Sequence, residues 1–380
     1  MKTRRYQVKK EVETILKQGH PWIFKSHLSS AASVFKTGDL LALVNAANEI
    51  IAYGFYEKDS LIAIRVVKFG KTPPNANWLK SKLSKCLSKR ENIKNYTEGY
   101  RAVHGENDGF PGVVFDVYNK TGVLQTYVPS IDPLGRYLAS ILRQELRLET
   151  VLWKAPARRK KAGKTRILFG KQTHLQKIRE GKLKVAVDVG EGQKSGTFLD
   201  LRGLRKYLSL QSLKGKRVLN LFSYTGTLGL AAEVAGAAEI WNVDIAKGAL
   251  KFSEEHHSLD RKKYRYIAAD VFKWVESLPP HERFDVIIVD PPSMASEAKQ
   301  VPVALKAYGR IYKRLLPHLK PGGMMIVCCC TSRISRQQFT EVAKKNLSFN
   351  LPKMKSLSAE DDHPVGFPQG DYLKMLIFTK

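Results

Sequence analysis

The sequence predicts an α/β chain whose C-terminal half is a parallel sheet with crossover helices, preceded by two smaller β-rich units. Three observations predict it. A chain of 380 residues with 43% hydrophobic content is long enough for two or three cores. From about residue 191 onward, short apolar runs alternate with helical periodicity. Before that point, short strands broken by Gly, Pro, Asn and Asp predominate.

Taken in order, residues 1–72 read as a small β-rich unit, a barrel or sandwich. GHPWIFKSHL is a turn entering an aromatic-rich strand, and GDLLALVNAANEIIAYGFYEKDSLIAIRVVKF supplies several more pieces. GKTPPNANW breaks the pattern and marks a linker, after which LKSKLSKCLSKRENI has helical spacing with Cys86 as a packed small residue. Residues 73–188 form a central α+β unit. RAVHGENDGFPGVVFDVYNKTGVLQTYV reads as three strands with turns, PLGRYLASILRQEL as an amphipathic helix, and ETVLWKA and KLKVAVDVG as further strands. The basic run ARRKKAGKTRILFGK between them is either a solvated loop or a phosphate contact. In residues 189–380 the strands are VLNLF, EIWNVD, YRYIAAD, FDVIIVD and GGMMIVCCC, with YLKMLIFTK as the last.

Charge bears on partners. The 64 Lys plus Arg against 35 Asp plus Glu give +29, which points to a polyanion, with nucleic acid favoured because phosphate neutralisation releases counterions. The rival, an anionic membrane, finds no apolar run long enough to span a bilayer and no signal-sequence pattern at the start. Four cysteines, three of them contiguous, make no disulfide framework, so a reducing cytoplasm fits. His104, His256, His257 and His363 show no ligand spacing; no metal is expected, and each is assigned a surface or turn role.

Ligands of open α/β sheets sit beyond the carboxyl ends of the strands. Gly226, in LFSYTGTLGL, follows the first strand of the alternating region, where a missing Cβ allows close approach of a ligand. Asp244 ends the second strand, as expected of an acid that accepts ribose hydroxyls. Asp270 ends the third, and Asp290 ends the fourth, followed by Pro291 and Pro292. The pattern reads as a nucleotide-type cofactor site, some other α/β enzyme being the alternative. Neither GxGxxG nor GxxxxGK[ST] is present, which disfavours NAD and ATP.

The series SYTG, Asp244, ADVF and DPPS resembles a Rossmann-like class I S-adenosylmethionine-dependent methyltransferase. With GQKSGTFLDLRGLR, ENDGFPG, GHPWIF and DDHPVGFPQGDYLK, nearly the whole chain is similar to the ribosomal RNA large subunit methyltransferase I family. That resemblance implies an N-terminal PUA domain, a central β-rich domain, a catalytic domain that uses S-adenosylmethionine, and cytosine-C5 methylation of large-subunit rRNA. It implies that Phe222, Ser223, Tyr224 and Gly226 wrap the methionine end of the cofactor, that Asp244 holds the ribose, and that Asp270 and Val271 address the adenine. Asp200 and Arg202 would lie near the cofactor or target base, a structural ion pair being the alternative. Asp290 would serve both cofactor and base, with Pro291, Pro292 and Arg333 on the substrate side.

Carbon 5 of cytosine is too weak a nucleophile to take a methyl group unaided. Thiolate addition at C6 enriches it, so the enzyme needs a thiolate beside the base and an acid at its N3 edge. Members of the family carry Ser-Cys-Ser at the fifth strand end. Set against Gly322–Gly323, the cysteine falls on Cys330, with Thr331 in place of the second serine. Alternation puts Cys328 on the same side and Cys329 on the other, so Cys328 is the alternative nucleophile and both are otherwise core fillers. Two other functions stay open. One is methylation of a base nitrogen, against which Ser293 stands where an aromatic is usual; the other is a non-catalytic RNA-binding ribosome-assembly factor.

Overall fold

The structure, a computed structural model, describes residues 3–155, 165–348 and 350–379. Residues 157–164 of the basic run lie outside the described residues. The chain forms two compact units: residues 1–178, 187–197 and 361–370 make the first, and residues 179–186, 198–360 and 371–380 the second.

The first unit holds two five-stranded sheets. In the N-terminal sheet the spatial order is Arg4–Gln7, Leu40–Val44, Ile50–Tyr56, Ile62–Phe69, Trp22–Phe24. A helix at Lys10–Lys17 was not anticipated. Val12 and Leu16 give it one buried edge, and Glu11, Glu13 and Lys17 complement its dipole. The second sheet runs Arg166–Phe169, Thr150–Trp153, Thr121–Thr126, Val113–Tyr118, Gly99–His104. Against its core lies the helix Ala76–Ser88, opened by the Asn75 side chain accepting from the Trp78 amide and burying Leu83, Cys86 and Leu87. Cys86 is a packed residue whose thiol is pushed up to about 12, chiefly by burial.

Three sequence motifs meet in a buried polar knot of this unit. Asp108 of ENDGFPG takes both Arg90 guanidinium nitrogens, at 3.1 and 2.5 Å, and the His104 amide at 2.7 Å. Arg101 lies bidentate on Asp116, which also accepts from Ser195 of QKSG. Asp362 of DDHPVGFPQG accepts from the Arg101 amide at 3.0 Å and, through its carbonyl, from Arg90 at 3.3 Å. The surface half of the surface-or-turn expectation is corrected here for two of the histidines. His104 and His363 are buried with rings 4.9 Å apart, because the fold brings ENDG and DDHP together across 259 residues.

In the second unit the strands, numbered within the unit, are β1 Arg217–Leu221, β2 Glu239–Asp244, β3 Tyr264–Ala268, β4 Phe284–Val289, β5 Leu319–Cys329, β6 Lys353–Leu357 and β7 Lys374–Thr379. They form one sheet in the order β3-β2-β1-β4-β5-β7-β6. The first five are parallel, and β7 runs antiparallel to both neighbours. The helices are α1 Arg202–Ser209, α2 Thr227–Val234, α3 Lys247–His256, α4 Val271–Glu276, α5 Val301–Leu315 and α6 Arg336–Leu347. The central strands are apolar on both faces, as a parallel sheet covered on both sides requires. Strand order reverses between β1 and β4, which opens the crevice at their carboxyl ends.

Candidate active site

Every strand-end residue singled out in the parallel region lies at the carboxyl edge of this sheet. The loop after β1 is built under backbone strain. Phe222 and Tyr224 have φ of 58° and 47°, a left-handed conformation that side chains rarely adopt, and Gly226 has φ of 71°. The neighbouring strand holds the loop in place: the Ser223 amide donates to the Val243 carbonyl at 3.1 Å, and the Tyr224 amide to Asp244 at 2.8 Å. Gly226 is required by this geometry and by the chain's own packing, not by ligand approach alone. A Cβ there would lie 2.0 Å from the Ser253 hydroxyl and 2.8 Å from Asn242. His257, which follows α3, is wholly buried behind the loop and bonded to Thr225, a correction to its expected surface role.

Asp244 is half-buried; one oxygen takes the Tyr224 amide and the other the Ala246 amide, each at 2.8 Å. A carboxylate accepts about four hydrogen bonds, so capacity for ribose hydroxyls remains. Asp270 caps α4, its Oδ1 accepting from Phe272 at 3.0 Å and Lys273 at 3.4 Å, while Val271 is buried beneath it. Asp200 and Arg202 are buried with different partners: Asp200 accepts from the Tyr372 hydroxyl at 2.7 Å, and Arg202 pairs with Glu360.

At the tip of β4, Asp290 is half-buried, Pro291 buried and Pro292 exposed. The Cys330 thiol, just past β5, donates to the Pro291 carbonyl with a separation of 3.7 Å. Cys328 and Cys329 are wholly buried, and Cys330 alone of the three is partly exposed. Burial holds the Cys328 thiol well above its ordinary range, with Asp290 adding to the effect. Cys329 faces the opposite way, into the core with Tyr308 of α5 and Phe339 of α6. Thr331 is buried; its hydroxyl accepts from the Met294 amide at 3.3 Å, and its carbonyl from the ammonium of Lys374 at 3.0 Å. Arg333 is exposed.

Glu360, Tyr372 and Lys374 were not singled out from the sequence, and His257 was given no part in the site. The first three belong to or adjoin the DDHPVGFPQGDYLK motif, whose unusual density of Asp, Gly and Pro was the available signal.

S-adenosylmethionine, the group implied by the resemblance, fits these residues. The Ser223 hydroxyl is buried in the strained loop with no hydrogen-bond partner, Asp244 retains acceptor capacity, and backbone amides open α2 beside them.

Comparison with known proteins agrees. Residues 154–378 match the S-adenosylmethionine-dependent methyltransferase family, and residues 7–69 match the PUA-like domain family. A ribosomal RNA large subunit methyltransferase I from Shewanella amazonensis is 32% identical, covering 98% of this chain and 98% of its own. A ribosomal RNA large subunit methyltransferase from Deinococcus radiodurans is 29% identical, covering 97% of this chain and 96% of its own. Among solved structures, a chain described as a SAM-dependent methyltransferase from Streptococcus mutans superposes with a TM-score of 0.84 at 24% identity, covering 99% of this chain and 100% of its own. Another, described as a methyltransferase complexed with SAH, gives 0.84 at 23% identity, with coverage of 99% and 100%. Fold, strand-end site and full-length likeness coincide: the chain belongs to the ribosomal RNA large subunit methyltransferase I family of S-adenosylmethionine-dependent methyltransferases.

Proposed function

We propose that this protein methylates carbon 5 of a cytosine in large-subunit ribosomal RNA, with Cys330 as nucleophile and Asp290 at the N3 edge of the base. The observation that carries the reading is the Cys330–Pro291 contact. Of three contiguous thiols, only the one expected to react is accessible, and it rests on the Asp-Pro-Pro tip of the adjacent strand. The names of the relatives support rRNA as substrate. The PUA-like domain and the charge of +29 support RNA held largely through its backbone.

When bound, S-adenosylmethionine supplies an electrophilic methyl group. Phe222, Ser223, Tyr224 and Gly226 would hold its methionine end, Asp244 its ribose, and Asp270 with Val271 its adenine. Asp200 and Arg202 shape the wall nearby. The target cytosine leaves its stack to enter the site, where Pro291, Pro292 and Arg333 meet it. The Cys330 thiolate adds to C6, and Asp290, as the protonated acid, donates to N3 as negative charge moves into the ring. C5 takes the methyl group and loses its proton to solvent water; N3 returns its proton to the Asp290 carboxylate, and expulsion of the thiolate restores the double bond. In this reading residues 1–72 and 73–188 engage RNA, residues 189–380 carry the chemistry, and the enzyme works in the cytoplasm.

The test is chemical. RNA containing 5-fluorocytosine, which has no C5 proton to lose, should trap a covalent adduct on the wild-type protein and none on Cys330→Ala. Nucleoside mass spectrometry of the rRNA product should show 5-methylcytosine; a methylated base nitrogen, with no adduct, would replace this reading by the alternative. Failure to bind S-adenosylmethionine in calorimetry would indicate the non-catalytic RNA-binding factor.

A further inference from the structure

The antiparallel pairing of β5 with β7 sets Lys374 directly opposite Cys329. The Lys374 side chain does not extend to solvent; the residue is 1% exposed. Its ammonium donates to the Thr331 carbonyl at 3.0 Å and the Tyr372 carbonyl at 3.1 Å. Two of its three N–H bonds therefore end on neutral acceptors, and among the described residues no carboxylate is hydrogen-bonded to it. The nearest acid on its own strand approach, Asp371, is bonded to Arg336 instead, at 2.7 and 3.2 Å. A buried cation without a bonded counter-ion is costly. Burial holds the lysine below its ordinary range, and Cys329, Asp371 and Cys330 act against that lowering, as negative groups beside an ammonium do.

We propose that Lys374 is a positioning residue for Cys330: it clamps the peptide carbonyl one residue beyond the thiol and supplies the positive charge that favours thiolate over thiol at the β5 tip. The inference rests on Cys330 being the nucleophile. A thiol of ordinary acidity is only a few per cent ionised at pH 7, so a fixed cation beside it raises the reactive fraction. Other charges bear on the same place. Asp290 at the end of β4 and Asp200 before α1 oppose ionisation of the neighbouring Cys328 thiol. Arg336 of α6 shares the electrostatic environment of Lys374, and Tyr308 of α5 stands on the Cys329 side and feels both Cys329 and Cys330. Lys374 is the buried cation of this set, and its ammonium is bonded to the carbonyl of Thr331, next along the chain from the sulfur.

The test follows iodoacetamide alkylation of Cys330 against pH in the full-length protein, without RNA or methyl donor, by mass spectrometry of the cysteine-bearing peptide. Lys374→Met keeps the volume and removes the charge; its midpoint should lie about one pH unit above that of wild type, making alkylation at pH 7 roughly tenfold slower. Lys374→Arg keeps the charge and should restore the midpoint. A folded Lys374→Met protein with an unmoved midpoint would reduce Lys374 to a structural strap and overturn the proposal. Should that variant not fold, wild type decides: a Cys330 midpoint below about 8.5, the ordinary thiol value, supports the proposal, and one at or above it refutes it. Because alkylation needs no cytosine, a missing fluorocytosine adduct would remove the proposed reaction while leaving this measurement readable.

Discussion

His257 braces the strained loop after β1 through Thr225: its Nδ1 lies 2.5 Å from the Thr225 carbonyl, while its Nε2 accepts the Ala186 amide at 2.9 Å. An acceptor at Nε2 fixes the neutral tautomer with the proton on Nδ1. Burial pushes this imidazole down to about 4. The unfolded chain, with an ordinary histidine near 6.5, therefore takes up the proton first. Its contribution to stability is complete above pH 6.5 and is lost as pH falls toward 4, by about 3 kcal/mol in all. Denaturant unfolding at pH 7.5 and pH 4.5 should show this loss, and a His257→Gln variant should lack that part of the slope.

Gly226→Ala meets two obstacles, the left-handed φ of 71° and the Ser253 hydroxyl 2.0 Å from the new carbon. We expect a loss of about 1–3 kcal/mol in stability and at least a tenfold weaker affinity for S-adenosylmethionine in calorimetry. Adding Ser253→Ala should relieve the clash with the hydroxyl and leave the backbone part and the 2.8 Å approach to Asn242. Unchanged affinity would show that the loop does not touch the cofactor.

The three strand-end thiols should separate by variant. Cys330→Ala is expected to leave unfolding free energy within about 0.5 kcal/mol of wild type while abolishing the fluorocytosine adduct. Cys329→Ala, which removes a buried sulfur from the core, should cost about 1 kcal/mol and leave the adduct intact. An adduct that survives Cys330→Ala and vanishes in Cys328→Ala would move the nucleophile two residues back along the strand.

Arg205 and Glu180 form a bidentate pair, both bonds 2.7 Å, with neither side chain exposed. Glu180→Gln strands a buried guanidinium and should cost about 3–5 kcal/mol, whereas Arg205→Met with Glu180→Leu should recover most of it. Thermal and denaturant unfolding of the full chain measure both.

The parallel region was legible because buried strands such as VIIV and MMIV are continuously apolar, and because acids fall at strand ends. Strand β6 was not legible: KMKSL is almost wholly exposed, and its lysines guard a sheet edge instead of marking a core. Helix α6 was missed although Ser335 and Gln338 form a reciprocal cap that the S-x-x-Q spacing announces. At the site, Asp244, Asp290 and Cys330 were readable as strand-end chemistry. Lys374 was not, since a lysine in YLKMLIF reads as a surface residue until the pairing of β7 with β5 sets it opposite Cys329. The histidines were misplaced for the same reason: His104 and His363 are far apart in sequence, and only the fold makes them neighbours.

Residues 361–370 belong to the first unit although they follow residues 198–360 of the second in sequence, and there Asp362 meets Arg90 and Arg101. A nascent chain halted anywhere before that point carries two guanidinium-bearing segments lacking a group that completes their pairing. The first unit therefore reaches its final state only after residues 361–370 have been made. A fragment cut at residue 178 should accordingly emerge loose and prone to clump, and co-expressing the missing strap as a separate peptide should tighten it.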